Sequence, residues 1–160
     1  MKTLDHHRIA QMASDAAAAA RGRTHQLWHA DHGDSVQRLA MALQPGTYVR
    51  PHRHDVPPKW ETLILLSGRV ALVVFGDDGC VIERVTLARE GGVVVVELPP
   101  AIWHSLVALD PDSTLFEFKQ GPFTPSTFAA WSPAEGDASA AAMESWLRHA
   151  QPGDRWGGVA

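Results

Sequence analysis

The sequence lacks the features that mark several large classes of protein. It contains a single cysteine, Cys80, so no disulfide can form within the chain, which suits a reducing compartment. No stretch approaches the roughly 18 apolar residues that a membrane-spanning helix needs. The N-terminal residues "MKTLDHHRIAQM" do not have the apolar core of a secretory signal. We therefore expect a cytoplasmic protein with no membrane partner.

An excess of positive charge is also absent. The 160 residues include 14 Lys and Arg against 18 Asp and Glu, for a formal net charge of −4. Without a basic stripe there is no electrostatic footprint for nucleic acid, so we expect no nucleic-acid partner. The length suits one domain that can bury a sizeable core.

Short β-type segments separated by turn residues fill the middle of the chain. Because no helix lies between them, the pattern predicts an antiparallel sandwich or barrel. Within it, "GDDGC" at 76–80 is the clearest hairpin signal. The eight predicted strands are Val36–Leu43, Tyr48–His54, Glu61–Leu66, Arg69–Phe75, Val81–Leu87, Val93–Leu98, Trp103–Leu109 and Thr114–Lys119.

Helices are predicted only towards the two ends. The alanine-rich segment Leu4–Ala20 has high helix propensity and stops before Gly22, and a short helix is predicted at Ala138–His149. We divide the chain into residues 1–35, a helix and polar connection, residues 36–122, the barrel, and residues 123–160, a wrapping segment and helix. Together these segments are predicted to form one structural domain.

The segment from residue 46 to residue 68 carries the candidate site. In an extended strand alternate residues share a face, so Tyr48, Arg50, His52 and His54 are predicted to point the same way. Two histidines at this spacing stand about 7 Å apart at Cα and can converge on one ion.

Two later residues can complete such a site. Glu61 begins the next strand and can return beside the histidine pair, either as a ligand or as a carboxylate that hydrogen-bonds to the ligands. His104, in "LPPAIWHS", can supply a further imidazole from a strand start that two prolines fix.

These residues resemble the two motifs of the cupin superfamily. Gly46, His52-x-His54, Glu61 and Gly68 are similar to the first motif, and Gly92, Pro99 and His104 are similar to the second. The resemblance implies an all-β double-stranded β-helix (jelly roll), here with an N-terminal helix and a short C-terminal helix. It also implies one divalent metal ion held by His52, His54, Glu61 and His104. Spacing does not choose among Zn, Fe, Mn and Ni.

A narrower resemblance is to the WbuC family of cupin metalloproteins. It is carried by "VQRLAMALQPGTYVRPHRH", "KWETLILLSGRVALVVFGDDG", "PPAIWHS", "FEFKQGPF" and "WSPAEGD". Members of that family occur in surface-polysaccharide gene clusters, so the resemblance implies a sugar or sugar-nucleotide ligand. Because cupins commonly pair through their sheets, it also implies a homodimer.

Further side chains are candidates for holding a small-molecule ligand. Arg50 either pairs with a carboxylate of the chain or captures a ligand anion, and we favour the second because it stands beside a bound cation. Glu117 and Lys119 alternate with Phe116 and Phe118, so either the phenylalanines or the charges face the barrel interior. Tyr48 is a candidate to carry a proton.

The sequence leaves open whether the protein is an enzyme. A metal-dependent isomerase, epimerase or dioxygenase is one hypothesis, and a non-catalytic protein that binds an anionic or sugar ligand is the other. A titratable base near the open metal position would favour the enzyme. The histidines outside both motifs, His6, His7, His25, His29, His32 and His149, are predicted to lie on the polar surface, and His29 and His32 could cap the pocket.

Overall fold

The computed structural model describes residues 1–158, and most of these residues belong to or connect β-strands. In chain order the elements are α1 (His6–Ala18), β1 (Arg23–Leu27), β2 (Val36–Leu43), β3 (His52–Arg53), β4 (Glu61–Ser67), β5 (Arg69–Phe75), β6 (Val81–Ala88), β7 (Val95–Leu98), β8 (Trp103–Ala108), β9 (Ser113–Gln120), β10 (Thr127–Phe128) and α2 (Ala140–Leu147). Within the described residues, no helix is long and apolar enough to cross a bilayer.

The strands form two five-stranded antiparallel sheets. The first sheet has the order β1-β2-β9-β4-β7, and the second has the order β10-β3-β8-β5-β6. From β2 to β5, and again from β7 to β10, each strand lies in the opposite sheet from the one before it. This alternation is the jelly-roll pattern. The predicted fold class, all-β with a helix at each end, is confirmed.

The hydrophobic core lies between the two sheets. Alternate residues of β4 are buried, as expected for a strand with one face on the core. Its Leu63 and Leu65 pack with leucines from both sheets, among them Leu43, Leu72 and Leu115. This packing holds the sheets face to face and brings the first residues of β3, β4 and β8 to one end of the barrel.

Each helix covers the outer face of one sheet. Met12 of α1 packs on the small side chains Ala40 and Ala42 of β2. On the other sheet, Met143 and Leu147 of α2 pack against side chains of β5 and β8. The helices therefore bury the outer faces and leave one end of the barrel for the candidate site.

Most element bounds agree with the sequence-based predictions. The bounds of β2 and β5 match, and each predicted helix is two residues too long at both ends. For α1 the reason is visible, since the side chain of Asp5 accepts a hydrogen bond from Arg8 N at 2.8 Å and starts the helix at His6.

Three parts of the sheets differ from the predictions. The sequence does not predict β1, which pairs with β2 along its whole length, or β10, which pairs with β3. Of the predicted strand Tyr48–His54, only His52–Arg53 forms a ladder. As a result, the segments 1–35 and 123–160 each contribute a strand to the barrel. Residues 159 and 160 of the predicted wrapping segment lie outside the described residues.

Candidate metal centre

Three histidine rings meet at this end of the barrel. His52 is paired with His104 across β3 and β8, and their ring centroids are 4.4 Å apart. His54 follows β3 directly, with its ring centroid 5.2 Å from that of His52 and 5.8 Å from that of His104. The prediction that His52 and His54 share a face is confirmed, although β3 consists of only His52 and Arg53 and ends before His54.

Backbone carbonyls orient two of the rings. Nδ1 of His52 lies 2.9 Å from Arg50 O, and Nδ1 of His104 lies 3.0 Å from Ile102 O. Because a carbonyl oxygen can only accept, the hydrogen of each neutral ring belongs on Nδ1. The lone pair of each Nε2 is therefore free to bind a cation, as in histidine metal sites whose other nitrogen is hydrogen-bonded.

Glu61 returns to the histidines through a compact turn. Six residues separate it from His54, and the turn is closed by a hydrogen bond from Lys59 N to His54 O at 3.0 Å. Glu61 is 3% exposed, and its Oε2 lies 2.9 Å from His54 Nε2 and 3.5 Å from His104 Nε2. The long turn thus brings the carboxylate within reach of the same point as the rings.

The four side chains fit a metal ion. One ligand atom from each of His52, His54, Glu61 and His104 can be chosen so that all four lie within 4.8 Å of one another. Although Glu61 Oε2 is close to two rings, neither contact has hydrogen-bond geometry, and both this oxygen and His104 Nε2 are buried without a partner. Buried polar atoms normally have one. Three imidazoles and a carboxylate suit Zn, Fe, Mn or Ni.

The protonation states of the cluster also suit a cation. Burial, together with the neighbouring His104, lowers the pKa of His52 to about 3, and burial lowers the pKa of His54. Burial alone would raise the pKa of Glu61, but His104 and His54 outweigh it and bring this pKa well below its usual range. For His104, burial alone would lower the pKa, but the Glu61 carboxylate outweighs it and raises this pKa. The neutral rings of His52 and His54 and the ionised Glu61 are the forms that bind metal, whereas a metal ion would have to displace a proton from His104.

Glu117 and Lys119 of β9 lie beside this cluster. Glu117 is buried, and Lys119 Nζ lies 3.2 Å from Glu117 Oε1 and 3.5 Å from His54 Nε2. Phe116 instead packs on the outer face of the sheet, against the hydrophobic cluster that Met12 of α1 forms with Ala40 and Ala42. Of the two arrangements that the sequence allowed, the structure therefore has the one in which the charges face the barrel interior.

Arg50 lines the same cavity as His52, Glu61 and His104 but has no carboxylate partner among the described residues. Its Nε donates to Ser132 Oγ at 3.1 Å, and its Nη2 donates to the carbonyls of Ala129 and Ser132 at 3.0 and 3.1 Å. The guanidinium carbon also lies 5.2 Å from the Phe128 ring centroid. Arg50 thus holds the wrapping segment by hydrogen bonds to Ala129 and Ser132, and no carboxylate of the described residues neutralises its positive charge.

Tyr48 does not share the cavity with Arg50 and His52. It is 7% exposed and packs in the cluster under α2, where its hydroxyl donates to Pro133 O at 3.0 Å. The alternation argument fails here because residues 48 to 51 are not part of a β-ladder. Tyr48 therefore does not point the same way as Arg50 and His52, and its role as a ligand-binding residue stays a prediction.

The cavity that His52, Glu61 and His104 line, hereafter the metal cavity, has a volume of about 460 Å³. Sequence reasoning identified only some of the residues that line it. The others come mainly from β1 and the wrapping segment: Arg21, Arg23, His25, Phe123, Ser126, Phe128 and Glu135. The signal that could have found the first of these is "RGRTH", since residues 21, 23 and 25 alternate as side chains on one face of a strand do.

One of the six histidines outside the motifs is buried. His29 is 7% exposed, and Arg38 N donates to its Nδ1 at 3.0 Å. The prediction of a surface position is wrong for His29, because its ring packs against β2 and bonds with the backbone of Arg38. The other five, His6, His7, His25, His32 and His149, are exposed as predicted.

Solved structures with the same topology support the fold assignment. KdgF from Halomonas sp. has a TM-score of 0.50 at 19% identity, over 64% of this chain and 82% of that chain. A cupin-2 domain protein from Rhodospirillum rubrum has a TM-score of 0.52 at 17% identity, over 79% and 80%. A cupin 2 domain-containing protein from Halorhodospira halophila has a TM-score of 0.52 at 14% identity, over 82% and 85%. No curated protein shows significant sequence similarity to this chain.

The jelly roll therefore places the chain in the class of proteins with the cupin fold, and the histidine and glutamate cluster is a candidate metal site within that fold. Within that class, the chain belongs to the family described as "Domain of unknown function (DUF6016)", whose model matches residues 4–87, more than half of the chain. The match includes His52, His54 and Glu61 but ends before His104. The narrower resemblance to WbuC proteins stays a prediction.

Proposed function

We propose that the protein binds one divalent metal ion through His52, His54 and His104, with Glu61 as a fourth ligand, and uses it to hold and activate a small molecule in the cavity. The observation that carries this proposal is the convergence of one ligand atom from each of the four residues to within 4.8 Å of one another in a largely buried cluster. Three imidazoles and a carboxylate brought together in this way form a ligand set that binds divalent metal ions.

When bound, the ion supplies positive charge that polarises an oxygen of the ligand. The chain's own residues supply the remaining functions. Arg50 and Lys119 offer positive charge to an anionic ligand, and the cavity, with a volume of about 460 Å³, is large enough for a small molecule. Phe123 and Phe128 line its apolar part.

Glu117 favours an enzyme over a passive binding protein. Burial, followed by the charge of Glu61, raises the pKa of Glu117 to about 7. That pKa is the value without a metal ion. What favours an enzyme is the position of Glu117, a buried carboxyl group in the wall of the cavity that can act as a general acid or base. A nearby divalent ion would lower this pKa, because positive charge favours the carboxylate. A non-catalytic metal-dependent binding protein is the second candidate.

The nature of the ligand is proposed from the family resemblance and the charges. The WbuC-like segments support a sugar or sugar-nucleotide, with isomerisation or epimerisation as the reaction class; an iron centre would instead support dioxygenase chemistry. The cytoplasmic location and the homodimer stay predictions.

Metal content is the first test. Protein purified without a His-tag should contain about one equivalent of a single divalent metal, measured by mass spectrometry. The double variant His52→Ala, His104→Ala should lose it, because two of four ligands are gone. His149→Ala is the matched control, since this exposed histidine lies outside the cluster.

The outcome also directs the search for a reaction. Iron would lead to oxygen-consumption assays, and zinc or manganese to assays of sugar-nucleotide isomerisation. Wild-type protein that stays metal-free after reconstitution, or a double variant that still binds one equivalent, would overturn the proposal.

A further inference from the structure

A carboxylate of the chain is clamped between two arginines at the mouth of the metal cavity. Glu135 Oε1 accepts hydrogen bonds from Arg21 Nε at 2.7 Å and from Arg23 Nη2 at 2.6 Å, and Oε2 accepts one from Arg21 Nη2 at 2.6 Å. The pairing of Arg21 with Glu135 is bidentate, which is the geometry in which arginine recognises carboxylate and phosphate groups. The three residues, hereafter the arginine clamp, form a complete anion-binding arrangement.

The arginine clamp separates two cavities. Its three residues line both the metal cavity and an outer cavity of about 650 Å³ between the end of α1 and the start of α2. If the Glu135 carboxylate moved away, the two spaces would be continuous across the arginines. A ligand longer than the metal cavity would then reach both.

An anionic group of a ligand can take the place of the Glu135 carboxylate in the arginine clamp. Glu135 is located in the irregular segment between β10 and α2, and its side chain is 40% exposed. The Arg21 side chain is 60% exposed, and exposed ion pairs of this kind contribute little to stability. The Arg23 side chain is only 10% exposed and is anchored by a hydrogen bond from Nη1 to Tyr48 O at 2.8 Å. Arg23 is therefore the fixed part of the arginine clamp, and the exposed Glu135 carboxylate is the part that a ligand anion can displace.

The charges of the cavity favour an anionic ligand. Its lining includes three arginines, at 21, 23 and 50, and three glutamates, at 61, 117 and 135, which balance when all are ionised. A divalent ion leaves two positive charges in excess, and the Lys119 ammonium lies beside Glu117. An anion that displaces Glu135 would be attracted by this excess.

We propose that Arg21 and Arg23 form an anion subsite that Glu135 occupies in the free protein and that a carboxylate or phosphate group of the ligand takes over. The ligand class is thus an anionic small molecule that reaches from the metal cavity past the clamp. This inference rests on the proposed function, from which it takes the premise that a ligand enters the metal cavity.

The test is a calorimetric titration with two probes, inorganic phosphate and succinate. It is carried out on protein stripped of metal by a chelator, so that neither probe can bind through a metal ion, and repeated on metal-loaded protein. Wild-type protein should bind the probes weakly, because Glu135 competes at the high effective concentration of a tethered group. Glu135→Gln should bind at least one probe about tenfold more tightly, with affinity falling as salt is added.

A second ion pair supplies the matched control. Arg69 also makes a bidentate pair, with Asp110 at 2.7 and 2.8 Å, but neither residue lines the metal cavity. Asp110→Asn frees an arginine in the same way and should not increase probe affinity. Adding Arg23→Gln to Glu135→Gln should remove the gain.

Each outcome bears on the subsite separately from the metal. A gain in Glu135→Gln for phosphate or for succinate supports the subsite and identifies the group that it prefers, whether or not the protein binds metal. Equal affinities in wild type, Glu135→Gln and Asp110→Asn would overturn it. If circular dichroism shows that Glu135→Gln is unfolded, Arg21→Gln replaces it. This change at an exposed position should weaken wild-type binding of at least one of the two probes about tenfold, and unchanged affinities for both probes would overturn the proposal.

Discussion

At the scale of single residues, the polar side chains of the predicted strand Tyr48–His54 are buried in different places and make different contacts. His52 and Arg50 face the metal cavity, whereas Tyr48, two residues earlier, lies under α2 with its hydroxyl on a backbone carbonyl. The residue types were visible in the sequence. Their directions were not, because the alternation rule holds only where the backbone forms a ladder.

The ionisation of Tyr48 tests this placement. Tyr48 is the only tyrosine in the chain, so the ultraviolet absorbance of tyrosinate reports on it alone. Burial raises its pKa to about 12. We expect a titration midpoint of about 12 in the native protein and about 10 in denaturant. Circular dichroism at each pH confirms that the fold is intact, and a native midpoint near 10 would contradict the buried position.

The same shift predicts how stability depends on pH. Because the pKa of Tyr48 is higher in the folded state than in the unfolded state, the folded state binds more protons between about pH 10 and pH 12. Its contribution to the free energy of unfolding is complete below about pH 10 and is lost as the pH rises through 12. Tyr48→Phe should be less stable by about 1 kcal/mol at neutral pH and should lack this alkaline loss.

At the scale of elements, the apolar strands were predictable and the polar ones were not. The bounds of β2 and β5 follow from their apolar content and turn residues. In contrast, β1 reads "RTHQL" and β10 has two residues, so neither shows the pattern of a half-buried strand. These elements bear on the site, since β10 is adjacent to β3 and the residues in and just before β1 bring Arg21 and Arg23 to the cavity.

The glycines that flank the first motif are explained by backbone geometry rather than by the metal. Gly46 has a φ of +91° and Gly68 a φ of +71°, both in the left-handed region that side chains disfavour. Gly68 also makes the turn from β4 to β5, where a Cβ atom would lie 2.7 Å from Ser113 Cα. Around Gly46 nothing lies within 4 Å of such an atom.

This difference gives a matched pair of substitutions. Gly46→Ala should lower the free energy of unfolding by about 1–2 kcal/mol, the cost of a left-handed residue. Gly68→Ala should lower it by roughly 1–3 kcal/mol more, because the new methyl group overlaps the backbone of β9. Urea denaturation measures both. Equal losses at the two positions would contradict the close approach at Gly68.

At the scale of the whole molecule, the sequence predicted the jelly roll and the four candidate ligands but not the walls of the cavity. The motif residues His52, His54, Glu61 and His104 are implied by the resemblance to two sequence motifs, each of which is local in the chain. Arg21 and Glu135 are 114 positions apart and meet only after both ends of the chain have docked on the barrel. Contacts of this kind depend on tertiary packing, which no local pattern encodes.

The candidate ligands also connect the two sheets. Glu61 belongs to β4 in the first sheet, whereas His52 and His104 belong to β3 and β8 in the second. An ion that binds all of them joins the two sheets across the core, and it binds the folded state only, since unfolding separates the ligands. Metal binding should therefore stabilise the domain as a whole and not one loop.

Thermal denaturation followed by circular dichroism tests this expectation. Adding the metal identified by mass spectrometry to stripped protein, at about a hundredfold excess over its Kd, should stabilise the fold by about 2.7 kcal/mol. For a chain of this size that corresponds to a rise in Tm of about 5–10 °C. His104→Ala should show little of this rise, because the ion loses one of its two ligands from the second sheet. His149→Ala should show all of it. An equal rise in His104→Ala and wild type would mean that the ion binds elsewhere on the chain.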